Sequence, residues 1–138
     1  MKKVVILIQL LLVISCSPTI DRRISKLPTE NLPKGCEQLN STVNNGFFHL
    51  KGQNYFIMSG HTRGDVLSMA DCITKLSCNK IKLVFGEPSL ETETKMYYYL
   101  SSTKFSNGVR PDVLTFYKKN VLMIDKVTIE SCLEEYQE

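Results

Sequence analysis

The sequence predicts an α+β fold: two short helices packed on an antiparallel β-sheet of three core strands, with an extra N-terminal β-hairpin. Three observations carry this. Residues 76–85 hold a capped apolar stripe of helical period, and residues 95–101 alternate in the period of a strand. Residues 46–59 and 113–129 each hold two runs rich in β-branched and aromatic residues, joined by turn formers.

The first hairpin is read from Gly46 to Ser59, with Lys51-Gly52-Gln53-Asn54 between its two runs. Gly60 to Gly64 reads as a loop. Asp65 is then placed as the cap of a first helix running to about Thr74, because Val66, Met69, Ala70 and Ile73 form one stripe. A second helix follows after a tight turn. Ser77 can accept from a free amide of its first turn, Gly86 can take the left-handed conformation that ends it, and Pro88 blocks continuation. Between them Cys78, Ile81, Val84 and Phe85 recur at three- and four-residue spacing, so this helix needs a partner surface. Lys80 stands where a Glu would complete a capping box, which leaves packing to hold the helix.

Ser89 to Thr94 reads as a polar connection. Lys95 to Ser101 reads as a strand with Met96, Tyr98 and Leu100 on one face and Tyr97 and Tyr99 on the other. A long loop carrying Phe105 leads to strands over 113–117 and 121–129. Leu114 and Phe116 should face the helices, and Asn120 should serve the turn between the strands because it tolerates positive φ.

The chain has 138 residues, enough for one small domain plus a targeting segment. Residues 1–15 have the form of a signal peptide, two lysines and then the apolar run VVILIQLLLVI, which is short for a membrane span. Val13-Ile14-Ser15-Cys16 resembles a bacterial lipobox, which implies cleavage before Cys16, acylation of its thiol and a mature chain anchored by lipid and not spanning. Ser17, where an inner-membrane retention signal would have Asp, favours the outer membrane. Residues 16–45, rich in Pro, Ser, Thr and Asn, read as a lipidated tether, and residues 46–138 as the domain. Without Lys2 and Lys3 the 17 basic residues become 15 against 14 acidic ones. That near balance argues against nucleic acid as a partner.

With Cys16 set aside for lipid, Cys36, Cys72, Cys78 and Cys132 remain, an even number that suggests two disulfides in an exported domain. Three pairings are open. Cys72 with Cys78 and Cys36 with Cys132 is the one favoured. The spacing fits no zinc pattern, and His49 and His61 lie apart from the cysteines, so neither metal nor cofactor is expected.

Leu76-Ser77, Lys80-Ile81, Phe85-Gly86-Glu87-Pro88, Met96-Tyr97-Tyr98-Tyr99 and Leu114-Thr115-Phe116, with Val121 after Asn120, together resemble the SmpA/OmlA family, the BamE-like small outer-membrane lipoproteins. In the family pattern Ser77 matches the Ser/Thr before the helix, Ile81 the Val within it, Phe85 the Leu before its Gly-x-Pro stop, and Asn120 the turn Gly. Lys75 and Lys80 depart from the pattern, standing for its first Gly and its Glu. The resemblance spans residues 64–130. It implies a fold like that of β-lactamase-inhibitor-type domains, a periplasm-facing position on the outer membrane, and a role in assisting β-barrel assembly without catalysis.

No catalytic constellation appears in the residues themselves. GxSxG is absent, and His61 near Asp65 has no nucleophile motif beside it. The binding candidates are Tyr97 and Tyr99, which alternation sends off the helix-covered face, and Phe105 in the loop; rigid aromatic side chains are common anchors of protein interfaces. The expectation is a non-enzymatic cell-envelope protein that contacts the membrane through its lipid and a protein partner through its sheet. The competing expectation is an immunity or inhibitor lipoprotein that binds a toxin or hydrolase.

Overall fold

In the computed structural model, residues 20–21, 27–100 and 112–131 are described. Cys16, Phe105 and Cys132 lie outside them. Strand β1 is Ile20–Asp21, and a 3-10 turn follows at Thr29–Asn31. Helix α1 is Leu39–Gly46, and strands β2 and β3 are Phe47–Leu50 and Phe56–Met58. Helices α2, α3 and α4 are Gly60–Ser68, Ala70–Ile73 and Cys78–Phe85. Strands β4 to β7 are Leu90–Glu91, Lys95–Tyr99, Asp112–Lys118 and Ile124–Ser131. Two antiparallel sheets result, ordered β1-β2-β3 and β4-β5-β6-β7. The architecture is α+β, helices on an antiparallel sheet with a hairpin before them.

Helix α4 forms as its sequence dictates. Ser77 accepts from the Lys80 amide at the start, and Gly86 ends the helix at φ 84°, a conformation that disfavours any side chain. Cys78, Ile81, Val84 and Phe85 are all buried. They meet Met96, Tyr98, Leu114 and Phe116, all fully buried, from the inner face of β5 and β6. Phe85 and Phe116 lie 5.0 Å apart between ring centroids, and the Tyr98 hydroxyl donates to the Gly86 carbonyl at 2.7 Å. The hairpin belongs to the same core. Phe47 and Phe56 stack at 4.9 Å and both rings reach Tyr98, while Phe56 forms a parallel bridge to Leu100.

The structure corrects several expectations. The described part of the segment read as tether belongs to the domain: Ile20–Asp21 pairs with β2, Leu27, Cys36, Leu39 and Val43 are buried, and α1 packs against α2. The contact with α2 needs Gly46, since a Cβ there would overlap the Thr62 hydroxyl. The first predicted helix starts earlier, at Gly60, because Ser59 and not Asp65 accepts from its free amide, and it breaks at Met69 into α2 and α3. The polar connection holds the edge strand β4. The last strand begins at Ile124 and not at Val121, because the Asn120 carboxamide accepts from the Leu122 and Met123 amides and extends the turn.

The favoured cysteine pairing is also corrected. Cys36 is bonded to Cys72, with Cα atoms 5.6 Å apart, and Cys78 is a free, buried thiol. The pairing with Cys78 fails because that side chain belongs to the buried stripe of α4, facing the sheet. Non-reducing peptide mapping should recover Cys36 joined to Cys72. Replacing both with Ser should lower the unfolding free energy by about 3–4 kcal/mol in a denaturant titration, the stabilisation a loop of this size implies.

Candidate partner-binding face

The outer face of the four-stranded sheet is fixed by parity. Met96, Tyr98, Leu114 and Phe116 turn inward, so their neighbours in sequence turn outward. Cross-strand register then sets Lys95 beside Tyr117 and Lys126, Tyr97 beside Leu90 and Thr115, and Tyr99 beside Val113. Val113 and Thr115 are buried, whereas Tyr97, Tyr99 and Tyr117 are half-buried and Leu90 is exposed. Tyr97 and Tyr99 lie 6.5 Å apart between centroids, and Tyr55 of the first hairpin sits 6.4 Å from Tyr99. The hairpin thus supports one edge of the aromatic patch without covering it.

Two lysines complete the patch. The Lys95 ammonium lies 5.1 Å from the Tyr117 ring centroid and 5.8 Å from that of Tyr97, and Lys126 approaches Tyr117 from the other side at 5.5 Å. Each ring face is attractive to a cation, and the contact holds long lysine stems flat on the sheet. The result is a rigid surface of aromatic rings with positive charge between them. Tyr97 and Tyr99 are therefore brought together as their alternation indicates. Tyr55, Tyr117, Leu90, Lys95 and Lys126 were not singled out from sequence. Tyr117 was legible, because one step of alternation from the inward Phe116 puts it outward. Lys95 follows from the same alternation as Tyr97; Leu90, Tyr55 and Lys126 depend on which strands are neighbours.

At one margin of the sheet lies an ion cluster. The Glu91 carboxylate accepts from Lys118 at 2.8 Å and from Lys82 at 2.6 Å, and Lys118 also donates to the Thr92 carbonyl. The hydrogen bond from Lys118, then that from Lys82, holds the Glu91 carboxyl below its ordinary value, and the bond to Glu91 holds the Lys82 ammonium above its own. This cluster pins β4 to α4 and to the end of β6. Beneath it, burial pushes the Cys78 thiol up, with the Lys118 charge opposing, so the thiol is protonated at neutral pH and poorly nucleophilic.

Other chemistry is sparse. The His61 imidazole lies 3.3 Å from Asp65 one helical turn on, in an exposed position with no nucleophile in the arrangement. A polar cavity of about 230 Å³, lined by Glu37, Gln38, Thr42, Asp65 and Ser68, falls below the size that encloses a typical small ligand. Among the described residues no three His, Cys, Asp or Glu side chains are placed to hold a metal ion.

The Glu91 cluster has a pH signature. Its carboxylate contributes stability that is complete above its ordinary value of 4.5 and is lost as pH falls through the lowered value in the fold. The Lys82 contribution is complete below 10.5 and is lost as pH rises through its raised value. Glu91→Gln should therefore flatten the acid limb of stability measured against pH by chemical denaturation, while leaving Tyr97 and Tyr99 in place. No protein-family model, no curated protein and no solved structure matches the chain.

Proposed function

We propose that this chain is a lipid-anchored, non-catalytic protein of the bacterial cell envelope that works by binding a protein partner on the outer face of its four-stranded sheet. The observation that carries the reading is the Tyr97, Tyr99 and Tyr117 surface, half-buried rings held rigid by the sheet and flanked by Lys95 and Lys126. Such rings lose little conformational freedom on binding and rank among the commonest energetic anchors of interfaces. The lysines favour a partner that presents carboxylates beside its apolar contacts.

The placement in the envelope rests on the charged and apolar segment 1–15 and on the lipobox-like Val13-Ile14-Ser15-Cys16. The SmpA/OmlA resemblance of residues 64–130 supports a periplasm-facing role in outer-membrane assembly. The capped helix α4, stopped by Gly86 and lying on a sheet whose second strand carries a tyrosine run, is consistent with that resemblance.

Affinity capture from detergent-solubilised envelope tests the partner. Recovery of outer-membrane barrel-assembly subunits supports the reading; recovery of a single toxin or hydrolase replaces it with an inhibitor role. Tyr97→Ala should weaken capture by about 2 kcal/mol, roughly thirty-fold in affinity, with thermal stability nearly unchanged because the ring is outside the core. For the anchor, mass spectrometry of the mature chain should show acyl chains on Cys16, and Cys16→Ala should move the protein from the membrane fraction to the soluble one. Unchanged membrane attachment in that variant would contradict the lipid anchor.

A further inference from the structure

The last strand of the four-stranded sheet, β7, is an edge eight residues long. Its backbone usage follows from β6. The Asp112 carbonyl accepts from Leu100 and the Lys118 amide donates to Thr94, so the even-numbered residues of β6 direct their backbone away from β7. Val113, Thr115 and Tyr117 then bond to Glu130, Thr128 and Lys126, their register partners. The amides and carbonyls of Asp125, Val127 and Ile129 point the other way. Ser77 bridges Met123, the residue just before the strand. Among the described residues no backbone partner stands beside β7 from Asp125 onward. It carries no Pro, and its register irregularity lies at its first residues, opposite Tyr117 and Lys118. It is thus neither short nor interrupted by Pro, and its charges, Asp125, Lys126 and Glu130, are of both signs, so they bar only pairings that set like charges together.

The side chains of this edge complement themselves. In an antiparallel pairing of β7 with β7 of a second copy, centred on Thr128, Lys126 of each strand falls opposite Glu130 of the other. Val127 and Ile129 then form the hydrogen-bonded pairs, using the backbone groups that face outward, and their side chains extend the inner apolar layer. Neighbouring registers are worse. Centring on Lys126 or on Glu130 sets like charges face to face, and centring on Val127 or Ile129 leaves Lys126 and Glu130 without each other. Glu130 is exposed and forms no ion pair among the described residues.

A second observation falls at the same centre. The Thr128 hydroxyl is buried and has no hydrogen-bond partner among the described residues. At the two-fold axis of the Thr128-centred register the two threonines form a close, non-hydrogen-bonded backbone pair, in which a χ1 turn lets one hydroxyl donate to the other. We infer that β7 is a self-association edge, through which two copies of this chain join their four-stranded sheets into one eight-stranded sheet with a two-fold axis at Thr128. The inference rests on strand order and charge placement; it shares Lys126 with the tyrosine face, but its readout, self-association of the purified chain, needs no partner of that face.

Charge reversal tests it by sedimentation equilibrium of the purified full chain over micromolar to millimolar concentration. The unaltered chain should form dimers. Lys126→Glu and Glu130→Lys should each weaken the dimer roughly tenfold or more, because two opposite-charge pairs become two like-charge pairs. An equimolar mixture of the two variants should associate again as a heterodimer, which requires both to be folded. The same chain carrying both changes should also dimerise. A chain that stays monomeric throughout, single variants that associate like the original, or a mixture that stays monomeric would each overturn the inference.

Discussion

The structure depends on one aromatic contact set centred on Tyr98. Its ring touches Phe47 and Phe56 of the first hairpin, Phe85 of α4 and Phe116 of β6, at centroid separations of 5.2–6.0 Å. Its hydroxyl reaches the Gly86 carbonyl, which the left-handed turn after α4 leaves without a helical partner. A buried phenol is costly unless its hydroxyl is paired, and a buried helix end is costly unless its carbonyls are. One hydrogen bond answers both requirements. Three parts of the chain, separated by tens of residues, thereby share a single close-packed region.

The candidate face is a consequence of that core. Because Tyr98 and Met96 must point inward, Tyr97, Tyr99 and Lys95 must point outward, and pairing with β6 adds Tyr117 to the same surface. The hairpin plays two parts: Phe47 and Phe56 fill the core while Tyr55 borders the exposed rings. The Glu91 cluster secures the opposite margin by tying the short β4 to α4 and β6. Rigidity of the face is thus supplied from beneath and from both sides, which is what allows aromatic side chains to bind at little entropic cost.

Much of this was legible in the sequence, and the reasons are local. Ser77, Gly86 and Pro88 delimit α4 by the chemistry of helix ends, and strict alternation identifies β5 and orients β6. Helix α1 was not legible. Its LNSTVNNG has weak helical preference, and the helix exists because Leu39 and Val43 reach the core, Gly46 allows close approach to Thr62, and the adjacent Cys36 is tied to Cys72. Tertiary contact, not propensity, forms it. The start of α2 was hidden by Gly60 and Gly64, which read as loop until Ser59 supplies the cap. Of the site, Tyr97 and Tyr99 were legible from alternation. Lys126, Leu90 and Tyr55 needed strand order, and the disulfide partners needed distances that spacing does not encode.

The central claim is that the hairpin and the four-stranded sheet are one cooperative unit joined through Tyr98. Native-state hydrogen exchange of Phe56→Ala tests it most directly. Loss of that ring should cost about 3–5 kcal/mol and should speed exchange of the β5 and β6 amides by the same global free energy as those of the hairpin. Faster exchange confined to residues 47–58, with β5 and β6 protected as before, would contradict the account.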